Sequence, residues 1–219
     1  MKIGVTNLKG GVGKTTLTLN IAVCFAHMGH KVCVVDTDNN QNSMHWYGAR
    51  DKDLPEVLVV GNTNPGAVTK AVRNLNLLHD YVIIDGTPNL SEINTNVMMA
   101  SDLLIIPIRP GANDFRAMGE FINRLDHVRQ LKPDFAVYFL INEYDDRIIA
   151  HRTVKDALKE NFDIPIMDTV IKSRTVYSES ALNGNGVYES GDSKAKAEII
   201  ALVTEIVALT QKHSLLKTS

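Results

Sequence analysis

Short apolar runs alternate along this chain with longer stretches that mix apolar and polar positions. Several runs are almost continuously apolar, such as residues 81–84 and 103–106. Runs of this kind are typical of strands that are covered by helices on both faces of a sheet. The predicted strands span residues 2–7, 31–36, 56–60, 81–85, 102–107, 135–142 and 165–171.

The segments between these strands carry the helical periodicity of about 3.6 residues. The predicted helices span residues 14–28, 65–78, 91–100, 114–131, 149–161 and 193–213. This alternation predicts βαβ units in an α/β fold, with a mostly parallel, twisted sheet that has helices on both faces. No linker or repeat interrupts the pattern, so we expect a single domain over 1–219. The stretch 39–64 gives the least defined pattern.

Composition and charge narrow the class of protein. The chain has 219 residues, of which 44% are hydrophobic and 22% are charged, and its formal net charge is −2. A polyanionic partner would therefore have to meet a local group of cations. Cys24 and Cys33 lie in apolar runs without metal-ligand spacing, so we expect them to be buried and reduced in a cytoplasmic protein. Because the strand-like run begins at Lys2, we expect no signal peptide, and no apolar stretch approaches the roughly 18 residues of a membrane span.

A glycine-rich segment, residues 7–16, follows the first predicted strand and begins the first predicted helix. Its glycines let the backbone wrap around phosphates with the N–H groups pointing inward, and a helix N-terminus favours anions. Lys14 is placed to reach the β- and γ-phosphates of ATP, and the hydroxyl of Thr15 to bind Mg²⁺. The strict phosphate-loop pattern has glycine where this chain has Leu8. An ordinary glycine-rich turn is the alternative interpretation.

The same loop resembles the deviant Walker A motif of the ParA/MinD ATPases, a family of P-loop NTPases. The resemblance implies that ATP binds Lys9, Gly10, Gly11, Val12, Gly13, Lys14, Thr15 and Thr16. It makes Lys9 and Lys14 catalytic, because the family's first lysine reaches across a nucleotide sandwich homodimer to the partner's phosphates. A second cation there can stabilise the charge that develops during phosphoryl transfer. A solvated loop lysine is the alternative for Lys9.

Two acidic residues, Asp36 and Asp38, end the second predicted strand. Carboxylates two positions apart on an extended strand end point toward one site. The resemblance assigns Asp38 to positioning the attacking water and Asp36 to the neighbourhood of Mg²⁺. The family usually has Pro-Gln after them, and the Asn39-Asn40 of this chain puts the loop geometry and the hydrolysis rate in doubt. Solvated turn or cap aspartates are the alternative.

The strand 81–85 resembles a Walker B strand, and Asp85 ends it. An acid at the carboxyl end of a buried strand can hold Mg²⁺ through water, although it can also cap the next helix. Residues 101–115 are similar to a family segment that contains spaced prolines and an Asp-Phe pair. Asn142 ends a later strand where relatives contact adenine, and a plain turn residue is its alternative.

The C-terminal third, at 174–177, 186–190 and 194–199, resembles the small plasmid-partition ParA proteins exemplified by ParF. These lack an N-terminal helix-turn-helix domain, and we expect none here. The resemblance implies nonspecific DNA binding by the ATP dimer through basic residues, for which the candidates are Lys172, Arg174, Lys194 and Lys196. Phosphate contact needs only cations on one face. An ordinary solvated charged face is the alternative.

The resemblance as a whole implies an Mg²⁺-dependent ATP hydrolase that drives plasmid or chromosome partition. A centromere-binding ParB-like adaptor would stimulate hydrolysis, and the protein would be cytoplasmic and nucleoid-associated when ATP-bound, without membrane contact. The alternative is an ATPase of the same family that positions a non-DNA cargo, such as a protein cluster or division regulator. A nitrogenase-like iron protein is disfavoured because Cys24 and Cys33 do not fit a shared cluster.

Overall fold

Seven parallel strands form one sheet at the centre of the molecule. The computed structural model describes residues 1–88, 91–111 and 114–218. The strands are β1 Lys2–Val5, β2 Val32–Asp36, β3 Leu58–Gly61, β4 Tyr81–Asp85, β5 Leu103–Ile108, β6 Ala136–Tyr144 and β7 Ile166–Lys172. They lie in the order β3-β2-β4-β1-β5-β6-β7, and the described pairings are all parallel. The predicted α/β fold is confirmed.

Helices connect these strands along the chain. They are α1 Lys14–His27, α2 Asn42–Ala49, α3 Pro65–Leu75, α4 Glu92–Ala100, α5 Asp114–Leu131, α6 Ile149–Arg152, α7 Val154–Asn161, α8 Val176–Leu182 and α9 Ser193–Thr218, with a 3₁₀ turn at Val187–Glu189. The single helix predicted over 149–161 is wrong, since the structure has two short helices that meet at Thr153. The predictions missed α2 because only Ser43 and Trp46 are buried in it, which leaves no apolar periodicity to recognise. Residues 112 and 113 of the family-like segment 101–115 lie outside the described residues.

Apolar side chains pack on both faces of the sheet. On one face, α1 and α9 bury Ile21, Phe25, Leu202 and Ile206 against the strands. The other face is covered by α3 and α4 at one side and by α5 and α7 at the other. Helices on both faces leave the edges at the strand ends open, and in parallel α/β sheets the carboxyl edge holds the ligand site.

Both cysteines are buried and reduced, as the sequence predicts. Burial raises the pKa of the Cys24 thiol to about 11 and that of Cys33 to about 12, so neither forms a reactive thiolate at neutral pH. Within the described ranges, no helix has the length and apolar character to cross a bilayer.

Candidate nucleotide-binding site

The glycine-rich loop leaves β1, which lies between β4 and β5 in the sheet, and enters α1. Gly11 and Gly13 have φ of 72° and 83°, a left-handed conformation that strongly favours glycine. A Cβ on Gly13 would lie 2.3 Å from the side-chain nitrogen of Asn142. That nitrogen donates a hydrogen bond to the carbonyl oxygen of Val12 at 2.8 Å. Asn142 therefore holds the phosphate loop in shape from the end of β6.

Lys14 lies against this loop with little exposure to solvent. Its Nζ donates a hydrogen bond to the carbonyl oxygen of Lys9 at 2.8 Å. Burial lowers the pKa of Lys14, and the negative charges of Asp85 and Asp38 act in the opposite direction. When phosphate binds to the loop, the Lys14 ammonium can exchange its contact with the Lys9 carbonyl for contacts with phosphate oxygens.

The backbone of Lys9 is fixed on both sides of the residue. Its N–H donates to the side-chain oxygen of Asn7 at 3.2 Å, and its carbonyl accepts from Lys14. Asn7 is anchored in turn, because its Nδ2 donates to the carbonyl oxygen of Pro107 at 2.7 Å. The loop therefore fixes the point from which the Lys9 side chain extends.

Two buried carboxylates lie side by side next to the loop. Asp36 on β2 and Asp85 on β4 are partners in the sheet register, and both are fully buried. Asp36 accepts backbone N–H bonds from Asp38 at 3.1 Å, Ser43 at 2.9 Å and Met44 at 3.2 Å. Both of its oxygens are thus occupied, and they fix the first turn of α2 at the site.

Asp85 is held differently. Its Oδ2 accepts the hydroxyl of Ser43 at 2.8 Å. Its Oδ1 is buried and has no hydrogen-bond partner of normal geometry among the described residues, although the hydroxyl of Thr15 is close enough to favour the ionised carboxylate. Burial is the largest influence and, with the charge of Asp36, raises the pKa of Asp85 to about 7. A buried hydrogen-bond acceptor without a partner lowers the stability of the folded state, so this oxygen indicates a site where a ligand binds.

The oxygen groups near the phosphate loop suit Mg²⁺ better than they suit a metal ion whose ligands all come from the protein. The three predicted metal residues, Thr15, Asp36 and Asp85, come together, and their groups are hydroxyl and carboxylate oxygens. The described ranges contain no group of three or more His, Cys, Asp or Glu side chains that could enclose a metal. Mg²⁺ usually takes one or two protein oxygens and completes its shell with water and phosphate oxygens.

Asp38 begins the loop between β2 and α2. Its Oδ1 accepts the N–H of Asn40 at 3.0 Å, and its carbonyl accepts the N–H of Gln41 at 3.0 Å. Gln41 has a left-handed φ of 50°, which completes this tight turn. The Asn39-Asn40 departure from the family pattern therefore still leaves Asp38 close enough to influence the charge of Lys14.

The first two of the four predicted DNA-binding cations have acidic partners. Lys172 Nζ contacts both carboxylate oxygens of Asp146, at 2.6 and 2.7 Å, and lies 4.5 Å from the centre of a tyrosine ring. Arg174 Nη2 contacts Glu198 Oε1 at 2.7 Å, and both side chains of this pair are partly buried. In this structure, therefore, the charges of Lys172 and Arg174 are largely balanced.

The other two cations lie at the start of α9. Lys196 Nζ is 3.9 Å from the centre of the Tyr188 ring, a cation–π arrangement. The backbone N–H of Lys194 donates to Asp192 Oδ1 at 2.9 Å, which begins the helix. Neither contact neutralises a side-chain ammonium by direct pairing with a carboxylate.

The sequence analysis did not predict roles for Ser43, Glu143 and Arg109, which lie near the site. Ser43 joins the two buried acids, but the segment that carries it has no apolar periodicity. Glu143 follows Asn142 with φ of 53° and pairs with Arg109, whose Nε lies 3.0 Å from Glu143 Oε2. In the sequence, Glu143 stands out only as a charged residue directly after the strand-ending Asn142. That position does not predict its pairing with Arg109.

Known nucleotide-binding proteins are similar to this chain in sequence. The model of the CobQ/CobB/MinD/ParA nucleotide binding domain matches residues 3–187. Maintenance of carboxysome distribution protein A of Halothiobacillus neapolitanus is 29% identical over 214 residues, which cover 94% of this chain and 95% of that protein. Chromosome-partitioning ATPase Soj of Thermus thermophilus is 25% identical over 243 residues, with 96% and 97% covered.

A solved structure has a similar fold over almost the whole chain. It is an ATP complex of a McdA variant from Cyanothece, with a TM-score of 0.79 and 15% identity. The alignment covers 94% of this chain and 95% of that one. At this identity the likeness concerns the fold alone.

Proposed function

The chain belongs to the CobQ/CobB/MinD/ParA family of nucleotide-binding domains, and from this membership we propose that it is a ParA-type ATPase that drives plasmid or chromosome partition. It hydrolyses ATP to ADP and phosphate with Mg²⁺, forms an ATP sandwich dimer and binds DNA nonspecifically. A centromere-binding ParB-like adaptor stimulates hydrolysis. Within this proposal, residues 1–219 act as one ATPase domain, and the protein is cytoplasmic and nucleoid-associated when ATP-bound.

One observation carries the proposal. A phosphate loop with two lysines, Lys9 and Lys14, lies next to a buried carboxylate, Asp85, whose Oδ1 has no hydrogen-bond partner of normal geometry among the described residues. Backbone N–H groups of such a loop bind phosphates, and Lys14 neutralises part of their charge. Thr15 and Asp85 would hold Mg²⁺, which supplies positive charge at the phosphates when it is bound. This arrangement supports nucleotide binding more strongly than any other feature of the chain.

Asp38 is our candidate for orienting the attacking water. In the reaction, the water oxygen bonds to the γ-phosphorus while the bond from that phosphorus to the β–γ bridging oxygen breaks. Asp38→Ala should therefore still bind MgATP but lose most of its turnover, since the attacking water loses its acceptor while Lys14 and Thr15 of the phosphate loop are unchanged. Single-turnover hydrolysis together with a binding titration measures both quantities. Normal turnover in this variant would move the role to another residue.

Lys9 is the residue on which dimerisation rests in this proposal. Two triphosphates that face each other across a dimer repel, and a lysine from each subunit reduces that repulsion. ATP then favours association through its differential interaction with the dimer. Sedimentation of the parent and Lys9→Ala, each with MgATP and with MgADP, should show an ATP-dependent dimer only in the parent. Lys70→Ala, which removes an exposed lysine of α3, is the matched control. Equal dimerisation of parent and Lys9→Ala would contradict this role.

The DNA contact uses Lys172, Arg174, Lys194 and Lys196. A dimer doubles the cations offered to one duplex, so a weak patch on each subunit becomes effective in pairs. Phosphate contacts carry no sequence information, and scrambled duplexes should bind equally. Binding should be lost in Arg174→Ala, or when Lys194→Ala and Lys196→Ala are combined.

A second candidate function is the positioning of a non-DNA cargo. It is favoured by the 29% identity to a protein whose name concerns carboxysome distribution. The product of the neighbouring gene should separate the two candidates when it is purified and added to an ATPase assay. An adaptor that binds one specific duplex and stimulates hydrolysis supports partition. A stimulating adaptor that binds no DNA supports the positioning of a protein cargo.

A further inference from the structure

A cavity of about 280 Å³ opens directly beside the phosphate loop. Gly13 and Thr16 form one wall, Asn142 and Glu143 at the end of β6 form another, and the segment 172–178 closes it on the far side. A nucleotide whose phosphates bind the loop still has to place its ribose and its base. This cavity is the space next to the loop that can receive them.

The end of β6 is irregular where it meets this cavity. The pairing of β6 with β7 shifts register between Ile141 and Tyr144, which marks a β-bulge over Asn142 and Glu143. Glu143 takes up the irregularity with its left-handed φ of 53°. For a residue with a Cβ this conformation costs on the order of 1 kcal/mol. Bulges next to active sites redirect side chains, so the bulge accounts for the direction of this carboxylate.

The carboxylate of Glu143 is held at the rim of the cavity by Arg109. Arg109 Nε contacts Glu143 Oε2 at 3.0 Å, and the Glu143 side chain is 34% exposed. The other oxygen, Oε1, lies 3.8 Å from the position that a Cβ on Gly13 would occupy. One oxygen is thus paired with the arginine, while the other lies over the edge of the phosphate loop.

An ionised carboxylate only accepts hydrogen bonds. The exocyclic amine of adenine donates one, whereas unsubstituted purine, which has only a hydrogen atom at the same ring position, cannot. We propose that Glu143 selects the base of the nucleotide by accepting a hydrogen bond from the exocyclic amine of adenine. This inference rests on the proposed nucleotide binding and adds the residue that discriminates between bases. A Glu143 that only joins two loops through Arg109 would give no preference between bases.

Calorimetric titration with MgADP and with the Mg²⁺ complex of purine riboside diphosphate tests this role, because the second ligand lacks only the exocyclic amine and keeps the same phosphates and the same N1 acceptor. The parent should bind MgADP about tenfold more tightly than the analogue without the amine, the discrimination expected for one hydrogen bond to a partly exposed charged group. Glu143→Gln should reduce the ratio to about twofold, since a neutral amide oxygen accepts a weaker hydrogen bond than a charged carboxylate does. Glu160→Gln, an exposed glutamate of α7, should keep the parent ratio.

Glu143→Gly provides a second variant that tolerates the backbone conformation. It removes the carboxylate without any strain at positive φ, and it should also lose the preference. A preference for MgADP that persists in both variants would overturn the assignment of Glu143 and leave nucleotide binding intact. Equal affinity of the parent for the two nucleotides would also overturn it. Failure of the parent to bind either nucleotide would remove the proposed function and this inference together.

Discussion

Two regions of this molecule hold their charged side chains in different ways. Around the phosphate loop, Asp36 and Asp85 are fully buried and are joined by Ser43. In the C-terminal third, Lys172 and Arg174 lie nearer the surface, and each is paired with an acidic side chain. A motif with fixed backbone geometry thus predicts where a charged group lies and what it contacts. A group of cations in a sequence predicts only charge, and their partners decide whether that charge is available.

The largest effect should come from the phosphate loop. Lys14→Ala removes the buried cation that neutralises phosphate charge, and we expect MgADP and MgATP affinity to fall by at least about 100-fold. Thermal unfolding shows whether the variant is folded, since the contact of Lys14 with the Lys9 carbonyl is also lost. Lys70→Ala should bind as the parent does. Binding by Lys14→Ala within about threefold of the parent would contradict the phosphate-loop assignment.

The buried acid should make the stability of the nucleotide-free protein depend on pH. The pKa of Asp85 is raised from 3.8 to about 7, so the folded state binds its proton more tightly than the unfolded state does. Stability should therefore fall as pH rises from about 4 to about 7, by at most about 4 kcal/mol. Asp85→Asn cannot ionise and should lose this part of the pH dependence. The variant should thus become more stable than the parent near pH 8.

Urea unfolding of both proteins without nucleotide or metal, between about pH 5 and pH 8, measures this difference. Parallel pH profiles of parent and Asp85→Asn would show that the carboxylate has no raised pKa in the folded state. The same variant should bind Mg²⁺-nucleotide more weakly, because a neutral amide replaces a charged ligand.

A smaller effect should come from the cationic region. Glu198 pairs with Arg174 and also accepts the N–H of Lys172 at 3.2 Å and the hydroxyl of Tyr177 at 3.1 Å. Glu198→Gln keeps an acceptor for these groups but removes the opposing charge. With MgATP, duplex affinity should rise about threefold to tenfold, and the salt dependence should steepen by about 0.9 for each additional phosphate that the protein neutralises.

A second glutamate on the same helix provides the control. Glu205 accepts the backbone N–H groups of Asp168 at 2.7 Å and Thr169 at 2.9 Å. Glu205→Gln changes the net charge by the same amount at a site without a cationic partner among those contacts. Equal increases in duplex affinity for the two variants would indicate a general charge effect and would contradict specific masking of Arg174.

The smallest effect concerns the loop after Asp38. Gln41 is exposed and has φ of 50°, a conformation that costs about 1 kcal/mol for a residue with a Cβ. The free energy of unfolding of Gln41→Gly should therefore exceed that of Gln41→Ala by up to about 1 kcal/mol, although both variants lose the Gln41 amide group. Chemical denaturation measures the difference. An alanine variant at least as stable as the glycine variant would show that this loop is not strained.

Features of the structure that depend on a short stretch of sequence could be predicted. The phosphate loop and the strands that end in Asp36 and Asp85 could be predicted, because apolar runs and glycine spacing are local properties. The partner of Arg174 could not, since Glu198 lies on another element and only the fold brings them together. Glu143 escaped prediction for the same reason, because a bulge depends on how two strands pair.

ATP should control the proposed binding of this protein to DNA, and a salt titration of duplex binding measures this control. Binding of one duplex and of its scrambled counterpart would be measured with MgATP, with MgADP and without nucleotide. We expect binding with MgATP only, with equal affinity for both duplexes and a steep fall in affinity as salt rises. Binding that ignores the nucleotide, or no binding with MgATP at low salt, would contradict it and favour the positioning of a non-DNA cargo.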